Sequence, residues 1–183
     1  MEKITAFFTK KRIRQSHLAA VYAQTIFEIT EKVFPEIADF LNHQKHFQKS
    51  PGISAQDQEW FTYLIFAANI LNTHNHLPQE KADDFKLLVI REVAERFSRR
   101  DVQVAEDILV EYEKYVGDLL KVHQNLTKAT AMALFYRFGL NECQQEHYQK
   151  LNQPDPVFFK QLCEMVDLLF WNWKDFLTRF RVV

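Results

Sequence analysis

The sequence predicts an all-α protein, a single compact bundle of roughly six to eight helices spanning residues 1–183. Three observations carry this. Apolar residues recur at three- and four-residue spacings along most of the chain. Glycine and proline number only 3 and 5 among 183 residues, too few for a turn-rich β protein. Aromatic residues are plentiful, with 17 Phe, 6 Tyr and 3 Trp. Each buries about 150–250 Å², enough together to build a core without disulfides or metal.

Local signals place the elements in order. Ser16 reads as an N-cap, followed by Leu18, Val21, Tyr22, Ile26, Ile29 and Val33 on one broad face. Pro35 suits the first turn of a separate helix over 36–48. Ser50-Pro51-Gly52 breaks the chain, and Ser54 with Asp57 resembles a capping box for a helix Ala55–Thr73. That helix is apolar nearly all round, with Gln58, Thr62, Asn69 and Asn72 as a narrow polar strip, so it belongs at the centre.

Pro78 marks the next start, with Phe85, Val89, Val93 and Phe97 as its stripe. Ser98 and Asp101 cap a long helix to about His123. Asn125 opens an apolar helix Leu126–Phe138, which Gly139 closes in a left-handed conformation. Asn141 starts a short polar helix to about Asn152. Asp155 before Pro156 starts a last helix, Val157–Phe180, expected to share the core with Ala55–Thr73. No strand is expected. Residues 1–15 form a basic and aromatic N-terminal segment within the one domain.

Several chemistries are excluded. Gly52, Gly117 and Gly139 are isolated, so no phosphate-cradling glycine loop exists. No serine has the glycine setting of a nucleophile elbow. Cys143 and Cys163 form no CxxC pair, and neither HExxH nor ExxH occurs. No catalytic residue, cofactor or metal ligand is assigned. His43, His46, His74 and His76 could contribute to a histidine-based metalloenzyme, the weakest of three functional readings. A helix between the two pairs would hold them about 30 Å apart.

The formal net charge is −1, from 23 basic and 24 acidic residues, so no bulk field favours nucleic acid. The longest apolar stretch, near Phe61–Leu71, is about half a membrane span. The N-terminus lacks the long apolar region of a signal peptide. The expectation is a soluble, cytoplasmic protein without transmembrane segments or nucleic-acid partners. Lys10, Lys11, Arg12 and Arg14 form a short basic cluster, read as solvated or neutralised within the chain.

The leading functional reading is a non-enzymatic protein-interaction or self-association module. On one continuous C-terminal helix, Asp167, Lys174 and Trp171 fall within about 40° of one direction. That sets an indole among charges, where it can anchor a protein partner or a homodimer. Cover by Ile4, Phe7 and Phe8 is the structural alternative for Trp171. The second functional reading is a small apolar ligand held between Leu126–Phe138 and the C-terminal helix. Ala129, Met132, Ala133 and Tyr136 would line that site, the small residues leaving room.

Overall fold

The computed structural model describes residues 10–97 and 102–183. Eight α-helices and two very short strands are found among them. The first strand, β1 (Lys11–Ile13), leads into α1 (Gln15–Asn42). Helix α1 starts one residue before Ser16, with Arg14 at the cap and no side-chain capping bond. It then runs 28 residues straight through Pro35. The expected boundary at Pro35 is therefore corrected. Leu18, Tyr22, Ile26, Phe34, Ile37 and Leu41 continue one buried face across it, while Pro35 itself is exposed. Burying both halves of that face outweighs the lost backbone bond.

Ser54 and Asp57 form the expected capping box at a single 3-10 turn, Ala55–Asp57. The Ser54 backbone N–H donates to Asp57 Oδ2 at 2.9 Å. This turn leads into α2 (Gln58–Thr73). Every residue from Phe61 to Ile70 is buried, so α2 is the central helix. Two of the four residues of the narrow polar strip are buried. Thr62 is buried, its hydroxyl donating to the Gln58 carbonyl, and Asn69 is fully buried.

Helix α3 (Gln79–Phe97) lays Phe85, Val89 and Val93 against the core. It packs on α1 and on α4 (Val102–His123), which lies along α2. The Ser98–Asp101 cap and the segment Ile4, Phe7 and Phe8 lie outside the described residues. Asn125 Oδ1 accepts the Lys128 N–H at 2.9 Å and opens α5 (Leu126–Arg137). Gly139, at φ 62°, takes the left-handed conformation that closes it.

The expected helix over 141–152 is instead a 3-10 turn, Leu140–Cys143, followed by the short α6 (Glu146–Leu151). Fully buried Gln144 explains the interruption. Its Nε2 donates to the Asn141 side chain and the Gln153 carbonyl, and its Oε1 accepts the Asp155 N–H at 2.6 Å. Asp155 then caps α7 (Pro156–Asp167), accepting the N–H groups of Val157 and Phe158 at 2.9 and 3.0 Å.

The single C-terminal helix Val157–Phe180 is the largest correction. Helix α7 stops at Asp167, and a second helix, α8 (Trp173–Arg179), begins after five residues without helix, 168–172. Asn69 holds the joint. Its Nδ2 donates to the Leu169 carbonyl at 3.0 Å, and its Oδ1 accepts the Trp171 N–H at 2.8 Å. Asn172 caps α8 by accepting the Asp175 N–H at 3.0 Å. The core share of this region is also smaller than expected. Phe158, Leu162, Val166, Leu169 and Trp173 are buried, but Val157 and Leu168 stand 57% and 76% exposed.

The chain finishes in β2 (Phe180–Val182), which pairs with β1 in parallel. This pair replaces the strand-free fold expected from sequence. Buried residues from α1 to β2 form one connected apolar cluster.

Candidate functional site: an aromatic cleft between α2, α4 and α5

A cleft of about 660 Å³ opens between the first half of α2, the middle of α4 and the end of α5. Trp60, Tyr63, Tyr112, Tyr115 and Tyr136 supply its aromatic surface. Glu59, Glu111, Gln56 and Arg137 supply its charged and polar groups.

Local structure fixes these rings. Asp57, already held in the capping box, accepts the Trp60 indole N–H through Oδ1 at 3.2 Å. The Trp60 ring packs on Phe138, centroids 4.4 Å apart. Tyr63 stacks on Phe97 at 4.3 Å, which holds it upright on α2. Tyr112 and Tyr115 are half-buried and lie on one side of α4 at three-residue spacing. Tyr136 and Arg137 close α5, and Tyr136 is 38% exposed.

Arg137 crosses the cleft. Its guanidinium carbon lies 5.2 Å from the Trp60 ring centroid and 5.9 Å from that of Tyr112. Both distances fall within the range of cation–π attraction, about 6 Å. Burial, reinforced by the Glu59 charge, pushes the Tyr63 phenol up to about 12. Burial also raises Tyr112 and Tyr115, and nearby Arg137 works in the opposite direction on both. All three phenols therefore keep their protons at neutral pH, as neutral donors and acceptors around a charged guanidinium.

Of the four residues expected to line a ligand site, Tyr136 alone reaches this cleft. Ala129 and Ala133 are fully buried, and Met132 is nearly so, within the packing around α5. The geometry expected for Asp167, Trp171 and Lys174 is overturned by the break after α7. Asp167 ends α7 and accepts the Thr127 hydroxyl at 3.0 Å. Trp171 lies in the joint, half-buried, 5.2 Å from the Tyr22 ring and 5.6 Å from Phe176. Lys174 is exposed on α8. The three share no helix.

The histidines lie in separate surroundings. His43 pairs with Asp39 at 3.0 Å, His46 with Asp155 at 3.5 Å and His74 with Asp83 at 3.9 Å, whereas His76 stacks on Trp173. Among the described residues, no group of three or more His, Cys, Asp or Glu is disposed to hold a metal ion. No helix among them is long and apolar enough to cross a membrane. Burial raises the thiols of both Cys143 and Cys163, which disfavours the thiolate.

Periodicity did not single out Trp60, Tyr63, Tyr112 or Tyr115: Trp60 and Tyr112 read as parts of apolar helix faces, and Tyr63 and Tyr115 carry no pattern of their own. Residue type held the missing signal. Four of the six tyrosines in the chain line this one cleft. Tyrosine favours positions with one end buried and the other wet. No known family model, curated protein or solved structure matches the chain.

Proposed function

We propose that the protein is a ligand-binding domain, with the α2–α4–α5 cleft receiving a small planar ligand rich in N–H donors. The observation that carries this reading is Arg137. A guanidinium is itself flat and bristles with N–H groups, and it already lies against Trp60 and Tyr112. A heteroaromatic ring could stack beside it or displace it. The carboxylates of Glu59 and Glu111 and the Gln56 amide offer acceptors at the edge of such a ring. A volume near 660 Å³ suits a small organic molecule, since ligand pockets span roughly 300–1,000 Å³.

An interaction module built on Trp171, Lys174 and Asp167 has weaker support. The Trp171 ring is engaged with Tyr22 and Phe176, and Asp167 is engaged with Thr127.

The test combines native mass spectrometry of freshly purified protein with a thermal-shift screen of planar heteroaromatic compounds. A retained or selected compound should lose about tenfold in affinity in Trp60→Ala, given roughly 1–3 kcal/mol for a stacking contact. Tyr136→Ala should weaken it less. Binding indifferent to both substitutions would remove the cleft as the site. A ligand-free dimer dispersed by Trp171→Ala would favour the interaction module instead.

A further inference from the structure

A second cleft, about 320 Å³, lies where β2, the end of α8 and the start of α3 meet. Leu77, Leu177 and Phe180 are among the residues that make its apolar floor. Its charged groups are all basic: Lys10, Lys81 and Arg181, with His76 beside them. Among the described residues, no carboxylate lines it.

Two of the amines are already oriented. Lys10 Nζ donates to the Leu177 carbonyl at 2.6 Å, and Lys81 Nζ donates to the Val182 carbonyl at 2.9 Å. An ammonium carries three donors, so each keeps two for another acceptor. Among the described residues, Lys10, Lys81 and Arg181 enter no ion pair. Burial first, and then the Lys174 charge, hold the His76 imidazole below its usual range, so it adds a neutral polar edge. Among the described residues, three cations without a carboxylate partner share this cleft with an apolar lining. An inorganic anion would satisfy the cations and leave the floor open. An uncharged hydrocarbon would do the reverse.

We propose that this cleft binds an amphiphilic anion, a carboxylate or phosphate head on an alkyl chain. Lys10, Lys81 and Arg181 hold the head, and the first carbons lie on Leu77, Leu177 and Phe180. The volume sits at the small end of ligand pockets, so most of a long chain would extend outside. The head could belong to a free fatty acid or to a lipid in a bilayer, and the chemistry at the three cations is the same.

The experiment titrates the full chain with decanoate below its micelle concentration, following heat and melting temperature. Decanol and inorganic phosphate serve as single-feature probes. A second arm measures sedimentation with phosphatidylcholine vesicles, with and without phosphatidate. Decanoate, phosphatidate vesicles or both should bind, and decanol and phosphate should bind at least tenfold more weakly. Arg181 is exposed, so Arg181→Gln should fold normally and weaken binding about three- to fivefold, matching up to about 1 kcal/mol for an exposed charge. Adding Lys10→Gln should bring the loss to about tenfold. Lys81→Gln also removes a bond to β2, so the first two variants carry the test. Binding in the decanoate arm alone identifies a free acid as the source, and in the vesicle arm alone a membrane lipid. Absence of binding in both arms overturns the proposal. So does equal affinity for decanol, or unchanged affinity in Lys10→Gln/Arg181→Gln. A loss confined to Arg137→Gln would move the anion to the aromatic cleft and overturn it too.

Discussion

Helix α1 contains a proline and does not break, whereas residues 168–172 contain neither proline nor glycine and interrupt a helix. The contrast shows what sets helix ends in this molecule. At Pro35 the chain loses one backbone bond, but a buried stripe from Leu18 to Leu41 runs on through it. Between α7 and α8, the sequence Leu168-Leu169-Phe170-Trp171-Asn172 is locally compatible with helix. The chain turns there because Asn69, on α2, takes up a carbonyl and an N–H that the helix would otherwise use. Turning also lets Trp171 and Trp173 both reach Tyr22. Partners about a hundred residues away decide one boundary, and a continuous apolar face decides the other.

Asn69→Leu should disturb this contrast most. It strands the buried Leu169 carbonyl and the N–H of half-buried Trp171, each worth about 1–3 kcal/mol at most. A total loss of about 2–4 kcal/mol in urea unfolding is expected. A loss below roughly 0.5 kcal/mol, the level of a surface change, would show that the joint stands without Asn69.

Pro35→Ala should act in the opposite direction, by a smaller amount. It restores a helical N–H at an exposed position, for a gain of about 1–2 kcal/mol. This is less than the roughly 3 kcal/mol interior penalty because proline also stiffens the unfolded chain. A destabilised Pro35→Ala would mean that the helix depends on a proline-specific bend.

The smallest expected effect is a pH slope beside the joint. His76 stacks on Trp173, and its folded-state pKa lies below the ordinary value near 6.5, first through burial and then through Lys174. The unfolded chain therefore binds the proton more readily. The stability associated with the neutral ring is present above about pH 6.5 and is lost as pH falls toward the folded value. Melting curves between neutral and mildly acidic pH should slope less in His76→Asn than in the parent. Parallel curves would remove His76 from the account.

Much of the fold was legible because its signals are local. Ser54 with Asp57, Asn125, Gly139 and Asp155-Pro156 each place a boundary through their own side chain or backbone freedom. The unwetted character of α2 follows from its composition. What escaped was nonlocal. Asn69 reads as part of a narrow polar strip and Gln144 falls within an expected short polar helix, yet both are fully buried and organise backbone from other segments. The short strands are equally invisible, since β1 is mostly basic and exposed and acquires its structure only from a partner near residue 181. The aromatic cleft was reached only through Tyr136. Trp60, Tyr63 and the α4 tyrosines meet there because α2, α4 and α5 pack together, a relation no single-helix pattern contains.

The parallel register of Lys11–Ile13 with Phe180–Val182 has a mechanical consequence. Tension applied ahead of β1 and behind β2 pulls the two strands in opposite directions along their own axes. All the cross-strand bonds are then strained together instead of opening one after another. The Gln15 N–H to Val183 carbonyl bond and the Val183 N–H to Ile13 carbonyl bond share that load. The bundle behind them is thus shielded from stretching by a clasp only three residues long on each side.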